Sequence, residues 1–558
     1  MSVETPELPS TGAAGKARAL ALGSLGEMAA TPTSLVTYQS HGRLAVIGPE
    51  DAALRAARQL AGAVPVTVHV PGAGRPDPGT SDGIVVVRGG AAEVSGRLGR
   101  FVVNLSTPEG PVALAEAAGS AAEFFDLVLD LGESPLIDYE VPPVGYYAPA
   151  GKEDALARAL AEIPEMSGEF EKPKYFNFKA ELCAHSRSSL TGCTRCIDAC
   201  PTLAITSAEE VVSVDPYLCQ GAGSCVAACP SGAMSYAFPT VSDLLARLRR
   251  LLEAYREAGG EQPGLVLNDG WSGRALLGKL AADMPEDLLP VEVEEVGSVG
   301  LDTWLAVLAY GARGVAICVT TNTPRRMVRE LEEQVGFGRA LLGGMGYPAG
   351  MLAVVNTDHA DEVAAAWAAM PATSPARPAR FVAPDDKRGI LRLAIEHLHR
   401  HAPAPRKTVE LPAGAPFGDV RVDKSACTLC MACVSVCPAS ALSPGGDLPQ
   451  LRFTEWNCVQ CGLCEKACPE DAIRLHPRMF FDAEMRQQPR TLHEEPPFCC
   501  VSCGKPFTTS GLLDKMQRKL EGHWMFQTEE ARRRLQMCDH CRVKDMFKSG
   551  HDGIPPGV

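Results

Sequence analysis

At 558 residues the chain is too long for one hydrophobic core and divides into several domains. A formal net charge of -14 argues against a nucleic-acid partner, which needs clustered Lys and Arg, and suits a protein partner with a basic patch or solubility alone. The polar opening MSVETPELPSTGAAGKARAL is no signal peptide and no apolar run reaches bilayer-spanning length, so a cytoplasmic protein with no direct membrane insertion is expected.

Residues 1–40 read as a flexible arm with one short helix around Lys16 to Met28. Residues 41–150 read as an α/β unit: strand RLAVIG, helix EDAALRAARQLAG, strand VTVHVP, then strands IVVVRG and FDLVLDLG. This order is Rossmann-like but degenerate, because the turn GPEDAA lacks the three-glycine spacing that lets backbone approach a pyrophosphate. The segment EVSGRLGRFVVNL resembles part of the flavin-bearing subunit of heterodisulfide reductase, without carrying a flavin ligand.

Twenty-one cysteines dominate the remainder: seven between 183 and 229, Cys318 alone, eight between 427 and 468 and five between 499 and 541. Disulfide scaffolds are short and secreted, so this grouping reads as metal ligation. The most regular runs are CTLCMACVSVCP, with Cys427, Cys430, Cys433 and Cys437, and CVQCGLCEKACP, with Cys458, Cys461, Cys464 and Cys468. Each is a C-x2-C-x2-C-x3-C-P run and resembles the bacterial two-cluster ferredoxins, in which the fourth cysteine ligates the other cluster. That resemblance implies one [4Fe–4S] cluster on Cys427, Cys430, Cys433 and Cys468, and another on Cys458, Cys461, Cys464 and Cys437, in an α+β module over 415–480. Zinc is the weaker alternative at this spacing.

Residues 175–240 resemble the same module in altered form. In CAHSRSSLTGCTRCIDACP, Leu190 takes the first ligand position and Cys183 lies upstream. A longer loop returning Cys183 gives the set Cys183, Cys193, Cys196 and Cys229; a free Cys183, with His185 or another group substituting, is the alternative. The run DPYLCQGAGSCVAACP supplies Cys219 and Cys225, Cys200 crosses from the first half, and Ala222 stands where a thiolate is expected. Three thiolates suit a [3Fe–4S] cluster or a [4Fe–4S] cluster with an exchangeable ligand, and an empty site is the third alternative.

Between the modules, residues 241–400 alternate helix and strand and predict a small parallel sheet with covering helices. The stretch PVEVEEVGSVGLDTWLAVLAYGARGVAICVT resembles the small delta subunit of methyl-viologen-reducing hydrogenases, which usually holds a [2Fe–2S] cluster on cysteines after these strands. Here Asn268, Asp269, Gly270, Trp271 and Ser272 follow one strand, Gly297 and Ser298 another, and Cys318 sits inside an apolar strand. The domain reads as a clusterless scaffold that docks a partner or spaces the cluster modules.

At the C-terminus, residues 495–545 hold Cys500, Cys503, Cys538 and Cys541 as paired C-x2-C knuckles of a zinc ribbon, with Cys499 as an alternative ligand and iron as an alternative metal. The expected architecture is multidomain α/β plus α+β: an N-terminal α/β unit, two bacterial two-cluster ferredoxin modules separated by a small parallel-sheet domain, and the ribbon. With PTLAITS, DPYLCQG and PSGAM, the motif order resembles multi-cluster ferredoxin-like proteins associated with bacterial molybdenum formate dehydrogenases. The resemblance implies an electron relay with formate dehydrogenase as redox partner; an assembly or redox-sensing factor for a molybdoenzyme is the alternative. No nucleophile with a paired base, Walker loop or flavin fingerprint is visible, and His397, His399 and His401 read as solvated.

Overall fold

The computed structural model describes residues 8–548 except 28–30, 32, 271, 376 and 447. The strand Leu44–Ile47 is buried on both faces and pairs in parallel with Val66–Val70 and Leu127–Asp130. It lies inside a six-stranded sheet whose far edge, Gly72–Ser81, is antiparallel. A three-stranded meander, Ala92–Arg97, Arg100–Leu105 and Val112–Ala113, packs beside it. The crossover helix Glu50–Leu60 opens with Glu50 and Asp51, carboxylates placed where a pyrophosphate would have to approach.

The strand Gly168–Pro173 pairs antiparallel with Leu35–Ser40 and delivers the chain into the first cysteine-rich module. There Phe176–Phe178 pairs with Met234–Tyr236, and Ile205–Ala208 with Val211–Val214, each antiparallel. The next domain is a four-stranded parallel sheet, in the order Leu288–Val293, Gly264–Asp269, Gly314–Val319 and Leu352–Asn356. Its strand Gly314–Val319 is buried at every residue, as a sheet covered on both faces requires. The second module pairs Gly418–Val422 with Ile473–Phe480, and Leu442–Gly445 with Leu448–Phe453. Among the described residues no helix is long and apolar enough to cross a membrane.

Three expectations change. The helix Ala13–Gly23 is no loose arm: Glu286 accepts from the Thr11, Gly12 and Gly15 amides, and Arg18, 1% exposed, donates to Pro285 O and Leu288 O. The middle domain does not space the two modules. Its helix Lys387–Arg400 clamps them together, Lys387 donating to Val226 O and Ala227 O in the first while Arg388 donates to Pro416 O and Cys458 O in the second. Finally, His397 and His399 belong to that helix and His401 caps it; all three are half-buried, and His399 stacks on Phe481.

Candidate metal centres

Four small cavities, each with about 20 Å³ of free space, collect the cysteines of the two modules. Cys427, Cys430, Cys433 and Cys468 line one, and Cys437, Cys458, Cys461 and Cys464 line another. In both loops the residues flanking the second cysteine are left-handed: Leu429 and Met431 at φ 54 and 61, Gln460 and Gly462 at φ 54 and 83. These turns curl the loop around the cavity, and short helices Ala432–Ser435 and Leu463–Lys466 then carry the third cysteine. After each fourth cysteine the chain bends back, and an amide meets the sulfur: Ala441 N donates to Cys437 Sγ and Ala472 N to Cys468 Sγ, both at 3.3 Å.

In the first module, Cys183, Cys193, Cys196 and Cys229 line one cavity. The residues between Cys183 and Cys193 fold as a hairpin, Ser186–Arg187 against Leu190–Thr191, turned by Ser188 and Ser189 at φ 52 and 63. Cys193 N donates to Ala184 O at 3.0 Å, which brings Cys183 back beside the loop. Both His185 ring nitrogens are engaged elsewhere, Nδ1 with Cys193 O at 2.9 Å and Nε2 with Ser207 Oγ at 2.7 Å.

Cys200, Cys219, Cys225 and Ala222 line the remaining cavity, which keeps the same free space of about 20 Å³ as the other three despite the missing thiol. Its loop keeps the left-handed pair, Gly221 at φ 84 and Gly223 at φ 74. Tyr236 Oη donates to Gly221 O at 2.7 Å; the Tyr175 ring packs tightly on Gly221, and a Cβ at Gly223 would collide with the Ser298 backbone. Ser224, 1% exposed, also lines this cavity, and its hydroxyl has no hydrogen-bond partner among the described residues.

The donor chemistry fits iron–sulfur groups. Burial pushes the Cys193 and Cys458 thiols up to about 11 and Cys433 up to about 12, with Cys196, Cys225 and Cys464 driven higher still. Buried thiols of this kind ionise only against a cationic centre, and all-sulfur donors select soft metals or Fe–S clusters.

Near the C-terminus the sulfurs of Cys500, Cys503, Cys538 and Cys541 all lie within 4.8 Å of one another, a group able to hold a metal ion. Ser502 N donates to Cys500 Sγ at 3.4 Å, while Cys499 is exposed at the end of strand Pro497–Cys499. Cys318 is fully buried in an apolar core with Val266 and Trp367. Beyond the central strands, Asp269 accepts from Gly273 N and Ser298 Oγ donates to Glu295 O; Trp271 lies outside the described residues.

Sequence reasoning did not foresee that the two modules touch. Lys466 Nζ donates to Thr191 O at 2.6 Å, and a Cβ at Gly192 would lie 2.6 Å from Leu463, so the Cys193 and Cys461 loops abut. A lysine bonded to a backbone carbonyl leaves no pattern in the sequence.

Residues 426–473 match a family described as a 4Fe-4S dicluster domain, and residues 191–233 match a second family of the same description. The chain carries two ferredoxin-type iron–sulfur domains. Iron–sulfur electron transfer is the chemistry such domains serve. Cys183 lies outside the matched stretch. No curated protein matches the chain.

Proposed function

We propose that the protein relays single electrons between a redox enzyme and an acceptor through four cluster sites in file. The abutting Cys193 and Cys461 loops carry this reading, because they join two modules that are distant in sequence into one continuous path. Clusters bound in the four cavities supply delocalised one-electron storage. The protein's share is to hold the thiolates dry and fixed. Cys427, Cys430, Cys433 and Cys468 form one [4Fe–4S] set, Cys458, Cys461, Cys464 and Cys437 the next, and Cys183, Cys193, Cys196 and Cys229 the third; His185, with both nitrogens occupied, leaves that third set to Cys183.

The last site, on Cys200, Cys219 and Cys225, holds a [3Fe–4S] cluster. Ala222 brings no donor, and the unpartnered Ser224 hydroxyl in the same cavity is a harder donor that matches iron–sulfur iron less well than a thiolate. Zinc occupies the Cys500, Cys503, Cys538 and Cys541 group as a structural ion. The likeness to ferredoxin-like proteins associated with molybdenum formate dehydrogenases supports that enzyme as the partner.

The test is a reductive titration of the anaerobically purified protein with formate and a molybdenum formate dehydrogenase, followed by electron paramagnetic resonance. A relay shows cluster signals that appear with formate and decay on the timescale of turnover once an acceptor is added. Clusters that respond to dithionite but never to the dehydrogenase and formate would exclude this partner.

A further inference from the structure

We propose that the protein partner docks at the Cys430 end of the file, on a face shared by the Cys427–Cys430 loop and the C-terminal four-cysteine unit, and that this partner presents acidic side chains around an apolar centre. This inference rests on the relay reading above. Of the cysteines lining the four cavities, Cys430 is the exposed one; the others are buried or half-buried. At the opposite end, Tyr175, Tyr236 and Ser298 cover the Ala222 loop.

The C-terminal unit is fixed beside that opening. Thr509 Oγ1 donates to Thr428 O at 3.5 Å, and Lys515 forms an ion pair with Glu470, which itself lines the Cys430 cavity. Arg518 and Lys519 follow Lys515 by three and four residues on helix Ser510–Leu520, so they share its side, and both are exposed. Arg532 and Arg533 are exposed on the next helix. Exposed Asp514, Glu521, Glu529 and Glu530 lie on or beside the same helices, but residues 495–548 carry ten Lys and Arg against seven Asp and Glu, a local excess in a chain of net charge -14.

The same unit also holds large exposed apolar side chains, Trp524 at 65%, Met525 at 54% and Phe547 at 83%. Aromatic side chains beside arginine are what interface centres use, while lysine and arginine at a rim steer an acidic partner and raise its association rate. A centre of exposed aromatic and aliphatic side chains suits a protein interface.

The probes are oxidised flavodoxin, an acidic protein acceptor, and cytochrome c, a basic one. In stopped flow, the dithionite-reduced full chain passes one electron to the flavin, which takes a proton from water to become the neutral semiquinone. The flavodoxin rate is expected to fall about tenfold between low salt and about 0.3 M salt, and to fall about tenfold in Arg518→Glu/Lys519→Glu. Phe547→Ser should slow it without altering the salt slope. Carbodiimide coupling, read by mass spectrometry, should join Lys519 to flavodoxin carboxylates whether or not the clusters are reduced.

A flavodoxin rate that rises with salt, a charge-reversed variant indistinguishable from the parent, coupling confined to other faces, or capture of single-stranded DNA in place of flavodoxin would overturn the proposal. Loss of the relay reading looks different: no cluster signal responds to dithionite, while coupling still reports the docking face.

Discussion

The two cavities of the first module depart from the regular ferredoxin pattern in opposite ways. At Ala222 the thiol is gone and the backbone is kept, Gly221 and Gly223 at φ 84 and 74 repeating the left-handed pairs at Leu429 and Met431 and at Gln460 and Gly462. At Cys183 four thiols are present and the backbone is rebuilt, with Thr194 at φ -118 where the other loops turn left-handed, and with the Ser188–Ser189 hairpin added. Loop shape and thiol count are therefore separable, and each cavity keeps its size under its own change.

The sharpest way to break that contrast is to make each cavity imitate the other. Cys183→Ala leaves the third site with three thiols and is expected to cost about one iron per chain. It should also add an oxidised-state resonance that disappears on reduction; an unchanged spectrum would return His185 or another group to the site. Ala222→Cys is the converse. Because its loop already has the cluster-binding turn, it should gain about one iron, lose the oxidised-state resonance and reduce at a lower potential. Spectra identical to the parent would show that the loop does not present residue 222 to the cavity.

Smaller effects test the backbone itself. Gly223→Ala must hold a left-handed φ and push against the Ser298 backbone, so it should destabilise the protein by about 2–4 kcal/mol, seen as a lowered thermal midpoint. Thr194→Gly, at a position with negative φ, should stay within about 1 kcal/mol of the parent.

Similar in size to these backbone effects is a titration beside the Ala222 loop. Burial, followed by repulsion from Asp269 and Glu294, pushes the Glu295 carboxyl up to about 7 from its ordinary 4.5. A raised carboxyl value means stability is full while the group is protonated and declines as pH rises from the unfolded value through about 7. Glu295→Gln should remove that decline, gaining about 1–3 kcal/mol over the parent at neutral pH and little near pH 5. Parallel stability curves for the two proteins would contradict it.

Much of this was legible because cysteine spacing encodes loop geometry directly, and because the uniformly apolar strands Leu44–Ile47 and Gly314–Val319 admit few other readings. The antiparallel edge strand Gly72–Ser81 was not legible. Its GAGRPDPGTS sequence carries turn residues throughout and pairs through backbone alone. The docking of the N-terminal helix was hidden for a different reason: one carboxylate, Glu286, gathers amides from residues more than 270 positions away. Both the clamp at Lys387 and the loop contact at Lys466 end on carbonyl oxygens, which every residue possesses, so no residue type announces the partner.

The clamp has a bearing on biogenesis. Lys387 and Arg388 are adjacent, yet one grips a segment synthesised long before it and the other a segment synthesised after it. A nascent chain that has just exposed Lys387 has one cysteine module complete and the next still unmade, so the contact between the modules closes only once the later segment has been synthesised.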